Sequence, residues 1–148
     1  MKVTLARALK ERSRIAGRLK RNFGIINKEN SAIRGSERSF DLYALYDECQ
    51  TLYHKLIEIK QVIAAANAPI VGKLVEMAEV KSMIAQLRSI NTTVGYVNRG
   101  YGQDNDYMEV VFSASTMTAE ADKLQERAEQ LQDELDTFNA LTKVDIPQ

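Results

Sequence analysis

Few residues of this chain have the types and spacing that chemistry requires. Cys49 and His54 are the only cysteine and the only histidine among 148 residues. Cys49 occupies an apolar helix position between Leu45 and Leu52, where a free cysteine usually acts as a small buried hydrophobe. His54 lies off that apolar face and lacks the second histidine or pair of acids that a metal site would need. Both are interpreted as structural residues, and no metal or other cofactor is expected.

Acids and turn residues are concentrated between residues 99 and 109. The side chains there that carry oxygen ligands are Asp104, Asn105, Asp106 and Glu109. They lack the twelve-residue ligand order and the central glycine of a calcium loop, so turn formation explains them better. No Ser-His-Asp or Cys-His arrangement has support in the local sequence either. The sequence therefore favours a protein that is not an enzyme.

Charge is distributed very unevenly along the chain. Residues 1–40 carry eleven Lys/Arg and three Asp/Glu, whereas residues 104–148 carry three Lys/Arg and eleven Asp/Glu. The zero net charge of the whole chain therefore hides a +8 end and a −8 end. The candidate anion contacts of the basic end are Lys10, Arg14, Arg18 and Arg21.

The basic end has three candidate partners: nucleic acid, an anionic membrane, or the acidic segment near the C-terminus. Self-pairing is favoured, because the chain itself supplies the acidic surface. Binding of nucleic acid or of an anionic membrane through those four residues is the alternative. Whether the basic and acidic helices would pair within one chain or between two chains is left open by the sequence.

Helical periodicity dominates the rest of the chain. It predicts helix one over 5–22, helix two from an Asp41 N-cap to Asn67, helix three over 71–90, and helix four from a Thr118 N-cap. Residues 24–35 are expected to form a short hairpin or an ordered loop. The short connection at Pro69 predicts that helix three is an antiparallel neighbour of helix two. A β-hairpin is predicted at about 92–112, with a long tip over 99–106.

Helices two and four each carry an apolar seam about three heptads long. The seam residues that are expected to mediate self-association are Leu45, Leu52, Leu56, Ile59, Ile63, Leu124, Leu131, Leu135 and Phe138. Tyr46, Tyr53 and Ile57 widen the apolar face of helix two, which suits a central position in a bundle. The sequence predicts a mainly α (α+β) fold: one domain over 1–148, with about four helices, two of them long. A homo-oligomer is expected, with a dimer as the default closed symmetry.

The compartment is predicted from what the chain lacks. One cysteine cannot form an intramolecular disulfide, and no apolar leader segment opens the sequence. The longest apolar stretch, 62–71, is well short of the roughly 20 residues that a membrane span requires. A cytoplasmic protein without a transmembrane segment is expected.

Several short segments together carry a resemblance to a known family. They are residues 5–12 (LARALKER), the helix-two seam ending at Asn67, residues 84–88 (IAQLR), residues 113–118, and Leu135-Asp136 followed by Asn139 and Thr142. With these anchors the chain resembles, over nearly its whole length, the bacterial family called septicolysin, small helical proteins of undefined function. Ala140 stands where that family often has tryptophan. The resemblance implies a bundle of long helices that self-associates and carries a small β element, and the family's name suggests a cytolysin.

Overall fold

The structure, a computed structural model, describes residues 1–98, 100–101 and 106–147. Most of the predicted hairpin tip, 99–106, therefore lies outside the described residues. The elements in chain order are β1 (Lys2–Thr4), α1 (Leu5–Glu29), α2 (Leu42–Asn67), a 3-10 helix (Ala68–Ile70), α3 (Val71–Ser89), β2 (Gly95–Val97), β3 (Asp106–Met108), α4 (Ala114–Leu141) and β4 (Lys143–Asp145). The predicted fold class, mainly helical with a small β-hairpin between the third and fourth helices, is confirmed.

Backbone contacts group the chain into two compact units. Unit 1 consists of Met1–Ile70 together with the chain from Asp136 onward, and unit 2 is Val71–Leu135. The single domain that the sequence predicts stays a prediction.

The two ends of the chain are joined in unit 1 by a strand pair that the sequence analysis missed. β1 pairs antiparallel with β4, which places Val3 opposite Val144. The N-terminal ammonium of Met1 donates to the carbonyl oxygen of Ile146 at 2.8 Å. Each strand has only three residues, so its alternation of polar and apolar side chains is too short to stand out as a strand signal.

The core of unit 1 lies where this strand pair meets the helices. Its buried members are Val3, Leu5, Ala8, Ile59, Ile63, Val144 and Ile146. Leu5 and Ile59 are both 0% exposed. The first turns of α1, the second half of α2 and the terminal strands thus share one apolar cluster.

The first helix is longer than predicted. Instead of ending near residue 22 before a hairpin or loop, α1 continues to Glu29, and the amide of Asn30 still donates to the carbonyl of Ile26 at 2.9 Å. Ile25 and Ile26 are both half-buried. This packing outweighs the cost of a helical glycine at position 24, which is about 1 kcal/mol relative to alanine. The prediction of a hairpin or loop over 24–35 was wrong for its helical part, and the loop begins only after Asn30.

The second helix begins as predicted but does not end the helical path. The Asp41 carboxylate accepts a hydrogen bond from the amide of Ala44 at 3.0 Å, which confirms the predicted N-cap. At the other end, Ala68 keeps right-handed helical angles (φ −49°, ψ −43°), and the 3-10 helix leads directly into α3. Pro69 permits this path, since proline is tolerated in the first turn of a helix. The antiparallel packing of helix three beside helix two stays a prediction.

Unit 2 contains α3, the β2–β3 hairpin and most of α4. The strands are shorter than predicted and pair Tyr96 opposite Tyr107, with ring centroids 5.0 Å apart in a T-shaped contact. The predicted Thr118 N-cap was wrong, because α4 starts at Ala114. The Ser113 hydroxyl accepts from the amide of Thr116 at 3.2 Å and so caps the helix one turn earlier.

Two ion pairs join α3 to α4 within unit 2. Arg127 donates to both carboxylate oxygens of Glu76, at 2.7 and 2.9 Å. The Lys73 Nζ lies 2.5 Å from the Glu134 Oε2. The hydrogen bond from Arg127 lowers the pKa of Glu76 below its ordinary value of 4.5, although desolvation opposes this shift. Such bidentate Arg–carboxylate pairs fix geometry better than single contacts do.

Replacing Ile59 tests the position of the unit 1 core. We expect Ile59→Ala to lower the free energy of unfolding by about 2–5 kcal/mol, because it removes buried methyl groups and leaves a cavity. The matched control is Ile57→Ala on the same helix, where the side chain is 36% exposed and the loss should be below about 1 kcal/mol. Urea denaturation measures both. Equal losses at the two positions would contradict the assigned core.

The Glu76–Arg127 pair predicts a pH dependence of stability. Because the pKa of folded Glu76 is lowered, its contribution is present above its ordinary pKa and is lost as the pH falls through the lower, folded value. The loss of stability between about pH 6 and pH 3 should therefore be smaller for Glu76→Gln than for the native chain. Glu79→Gln on the same helix is the control and should keep the native slope. Parallel curves for the native chain and Glu76→Gln would rule the pair out as a contributor.

Candidate interaction surface

α1 and α2 form an antiparallel hairpin with two unlike halves. In one half lies the core at Leu5 and Ile59, covered by the terminal strands. The other half, called here the loop-side half, consists of α1 residues 15–29, α2 residues 42–54 and the loop between the helices. The buried apolar side chains between its two helices are Ile15, Cys49 and Leu52. Fewer buried apolar side chains therefore hold the two helices together in the loop-side half than in the half that contains the core.

Polar groups also lie between the two helices of the loop-side half. Asn22 is only 5% exposed, and its Nδ2 has no hydrogen-bond partner within the described residues. Arg18 forms an ion pair with Glu48 across the helices. The Glu48 oxygen in this ion pair, Oε1, is buried, and the geometry of the pair is not that of a hydrogen bond. An unsatisfied buried amide costs free energy, so this half is less stable than an all-apolar seam would be.

Cys49 is buried at 1% exposure, in agreement with its interpretation as a small core residue. Burial and then the charge of Glu48 raise the pKa of the thiol, while the nearby Asn22 side chain opposes the shift. A raised pKa keeps the sulfur in the unreactive thiol form. His54 is exposed and makes a T-shaped contact with Tyr53, with centroids 5.4 Å apart. The interpretation of both as structural residues stays a prediction.

A trough lined by aromatic and aliphatic side chains follows the loop-side half. Phe23, Tyr46 and Tyr53 are 48%, 48% and 54% exposed. They line a groove of about 350 Å³ that also reaches Leu19. A second groove of about 650 Å³ shares Tyr46 and continues toward the loop between the helices. The name aromatic trough is used below for the side chains of Leu19, Phe23, Ile26, Phe40, Tyr43, Tyr46 and Tyr53.

The predicted self-association seam lies elsewhere. Leu52, Ile59, Ile63, Leu131 and Leu135 are buried, and Leu45, Leu56, Leu124 and Phe138 are half-buried. These side chains are thus largely covered within a single chain, and their role in self-association stays a prediction. The signal for the exposed surface was the set of extra apolar positions beside the seam. Tyr46 and Tyr53 belong to that set, but the sequence does not show that they stay uncovered.

The four candidate anion contacts, Lys10, Arg14, Arg18 and Arg21, are all exposed on α1. Arg14 donates to the carboxylate of Glu11 at 2.6 and 3.0 Å, and Arg18 is paired with Glu48. Arg14, Arg18 and Arg21 border a groove of about 490 Å³ whose lining includes Gly17. Their proposed contact with an anion stays a prediction. The acids paired with Arg14 and Arg18 weaken the positive potential that a nucleic acid would meet.

Within the described residues, no group of three His, Cys, Asp or Glu side chains is placed to hold a metal ion. No helix among these residues is both long and apolar enough to cross a membrane.

Comparison with known proteins shows the fold. No protein-family profile matches the sequence, and no curated protein is significantly similar to it. Among solved structures, the chain is similar to a functionally unknown conserved protein from Corynebacterium diphtheriae, with a TM-score of 0.82 and 15% identity over 98% of this chain and 100% of the other. The fold is therefore that of a known bacterial protein. The resemblance to the septicolysin family stays a prediction.

The buried thiol predicts slow alkylation of the native chain. We expect Cys49 to react with iodoacetamide at least about tenfold more slowly in the folded protein than in the urea-unfolded chain, because burial blocks access and raises the thiol pKa. Mass spectrometry of the modified peptide at successive times measures both rates. A folded-state rate equal to the unfolded one would contradict the burial of Cys49.

Proposed function

We propose that this chain is a non-enzymatic protein that works by self-association, with the aromatic trough as the contact between two copies. The observation that carries the proposal is the exposure of Phe23, Tyr46 and Tyr53 side by side on the thinly packed half of the hairpin. Contiguous exposed apolar surface is uncommon on monomeric proteins and usually marks a contact site.

Burial of these rings gives a sufficient driving force. An aromatic side chain buries 150–250 Å² when fully covered, so covering the exposed half of one ring yields about 2 kcal/mol at about 25 cal/mol per Å². In a two-fold symmetric dimer each of these aromatic residues would be buried twice, once from each copy. The loss of translational and rotational freedom, about 4–15 kcal/mol, opposes association. Several rings are therefore needed, and the trough supplies Phe23, Phe40, Tyr43, Tyr46 and Tyr53.

A second copy is the occupant that best fits the trough. The hairpin has two helices where a stable bundle has more, and a second hairpin would supply the missing layer. A two-fold contact brings the same patch against itself, and aromatic surface is self-complementary. The +8 and −8 ends of the chain also make a second copy electrostatically complementary. Tyrosine hydroxyl groups at the rim can keep hydrogen bonds to water in such a contact.

Binding of nucleic acid or of an anionic membrane through α1 is the weaker candidate. Arg14 and Arg18 are already paired with Glu11 and Glu48. The cytolysin function that the septicolysin name suggests would require a segment that enters a bilayer. The predicted hairpin at 92–112 carries Asp106 and Glu109 among its charged residues, which oppose entry into a bilayer.

Polar substitution of the trough tests self-association. We expect the native chain to sediment as a dimer or larger species at micromolar concentration. Phe23→Gln/Tyr53→Gln should shift it toward the monomer, because the substitutions remove apolar area from the contact. Sedimentation equilibrium measures the mass, and circular dichroism checks that the variant is folded.

The matched control is Phe112→Gln/Tyr107→Gln, which changes the same residue types at similarly exposed positions of unit 2. This control should keep the native mass. A native chain that is monomeric at all accessible concentrations would overturn the proposal.

A further inference from the structure

We propose that α1 carries a basic stripe that docks on an acidic stripe of α4 from a second copy of this chain. The inference rests on the proposed self-association but uses a different surface from the aromatic trough. The basic stripe consists of Lys10, Arg14, Gly17, Arg21, Gly24 and Lys28. The acidic stripe consists of Asp122, Glu126, Glu129 and Asp133.

The two stripes have the same spacing. Lys10, Arg14, Gly17 and Arg21 follow one another at steps of four, three and four residues, as do Asp122, Glu126, Glu129 and Asp133. At 3.6 residues per turn, such steps place all members on one side of a helix. Eleven residues of helix span about 16 Å, so Lys10, Arg14 and Arg21 recur at the heights of three of the acidic positions, and Gly17 lies at the height of the fourth.

Both stripes are open to solvent. Every member is exposed, and each stripe lies on the side of its helix away from the buried residues. The ion pair that α1 makes with another helix uses Arg18, beside the basic stripe. The ion pairs of α4 with α3 use Arg127 and Glu134, on another side of α4. Arg14 is paired with Glu11 on its own helix, and the described ion pairs between helices use none of the stripe residues.

The basic stripe differs from an ordinary solvent-exposed helix face because it contains two glycines, Gly17 and Gly24. Glycine lowers helix stability relative to alanine and is avoided in exposed helix interiors. A Cβ added at Gly17 or Gly24 would meet nothing within 4 Å, so no packing inside the chain requires glycine there. Small residues in a helix face allow a second helix to approach closely, which shortens the distance between opposite charges. Close approach by another helix gives both glycines a role.

The occupant is a second copy because the chain itself carries the complementary stripe. Complementary charge patterns choose partner and register more than they add affinity. The aromatic trough and the basic stripe lie on different sides of α1, so the two contacts can be changed separately. Exposed charge pairs are also screened by salt, whereas apolar contacts are not.

Charge reversal with mixing tests the stripe. One variant is Lys10→Glu/Arg21→Glu/Lys28→Glu, and the other is Asp122→Lys/Glu126→Lys/Asp133→Lys. Each alone should associate at least about tenfold more weakly than the native chain at about 50 mM salt, because like charges then face each other. An equimolar mixture should recover the native weight-average mass, because each variant then offers the stripe that the other lacks. The control Lys20→Glu/Lys60→Glu/Lys81→Glu changes net charge by the same amount and in the same direction as the first variant, and it should keep the native mass.

A second variant tests the glycines without changing charge. Gly17→Gln/Gly24→Gln should raise the thermal stability of the helix yet weaken association, because the new side chains block close approach. Rising salt should weaken association of the native chain and of the trough variant Phe23→Gln/Tyr53→Gln alike.

The outcomes separate this inference from the proposed function. Charge-reversed variants that keep the native mass, or a mixture that fails to recover it, would overturn the stripe contact. If the mixture recovers and the trough variant keeps the native mass, the stripe stands and the trough contact fails. If only the trough variant sediments with a lower mass than the native chain, the trough contact stands and the stripe contact is overturned.

Discussion

The pairing of β1 with β4 is the constraint on which the architecture of unit 1 depends. These two short strands place Val3 and Val144 over the ends of α1 and α2, where Leu5 and Ile59 are completely buried. The strands close the core and hold both ends of the chain together through backbone hydrogen bonds, including that between the amide of Leu5 and the carbonyl of Thr142. An isolated two-stranded sheet is marginally stable, so the strands and the helix ends require each other.

The surface follows from that placement of the core. More apolar side chains are buried at the strand end of the hairpin than in the loop-side half, where Asn22 is buried and the partly exposed Arg18–Glu48 pair joins the two helices. Large rings beside that half remain exposed. In the proposed self-association, a second hairpin of the same kind would cover the loop-side half. The charged stripes of α1 and α4 would have a different role in association. They would select the partner and its register, whereas burial of the aromatic rings would supply most of the free energy.

Much of the fold could be predicted from the sequence, because long helices have strong periodic signals. The α2 limits followed from the Asp41 cap and the apolar repeat, and the β2–β3 hairpin followed from β-branched and aromatic residues. The errors arose where a weak local signal met tertiary packing. Gly24 looked like a helix end, but Ile25 and Ile26 pack and keep α1 helical. Pro69 looked like a stop, but it lies in the first turn of the 3-10 helix that precedes α3, where proline is tolerated.

The candidate surface was harder to predict than the fold. Periodicity identifies which side chains are apolar, but it does not show which of them the rest of the chain covers. Ile59 and Tyr53 both belong to the apolar face of α2, yet one is fully buried and the other about half exposed. If a second copy completes the loop-side half, hydrogen–deuterium exchange at low and high protein concentration will show it. We expect exchange in 19–29 and 42–53 to slow as concentration rises, while exchange in 5–9 and 56–63 stays unchanged. Identical exchange of the loop-side half at every concentration would contradict a second copy there.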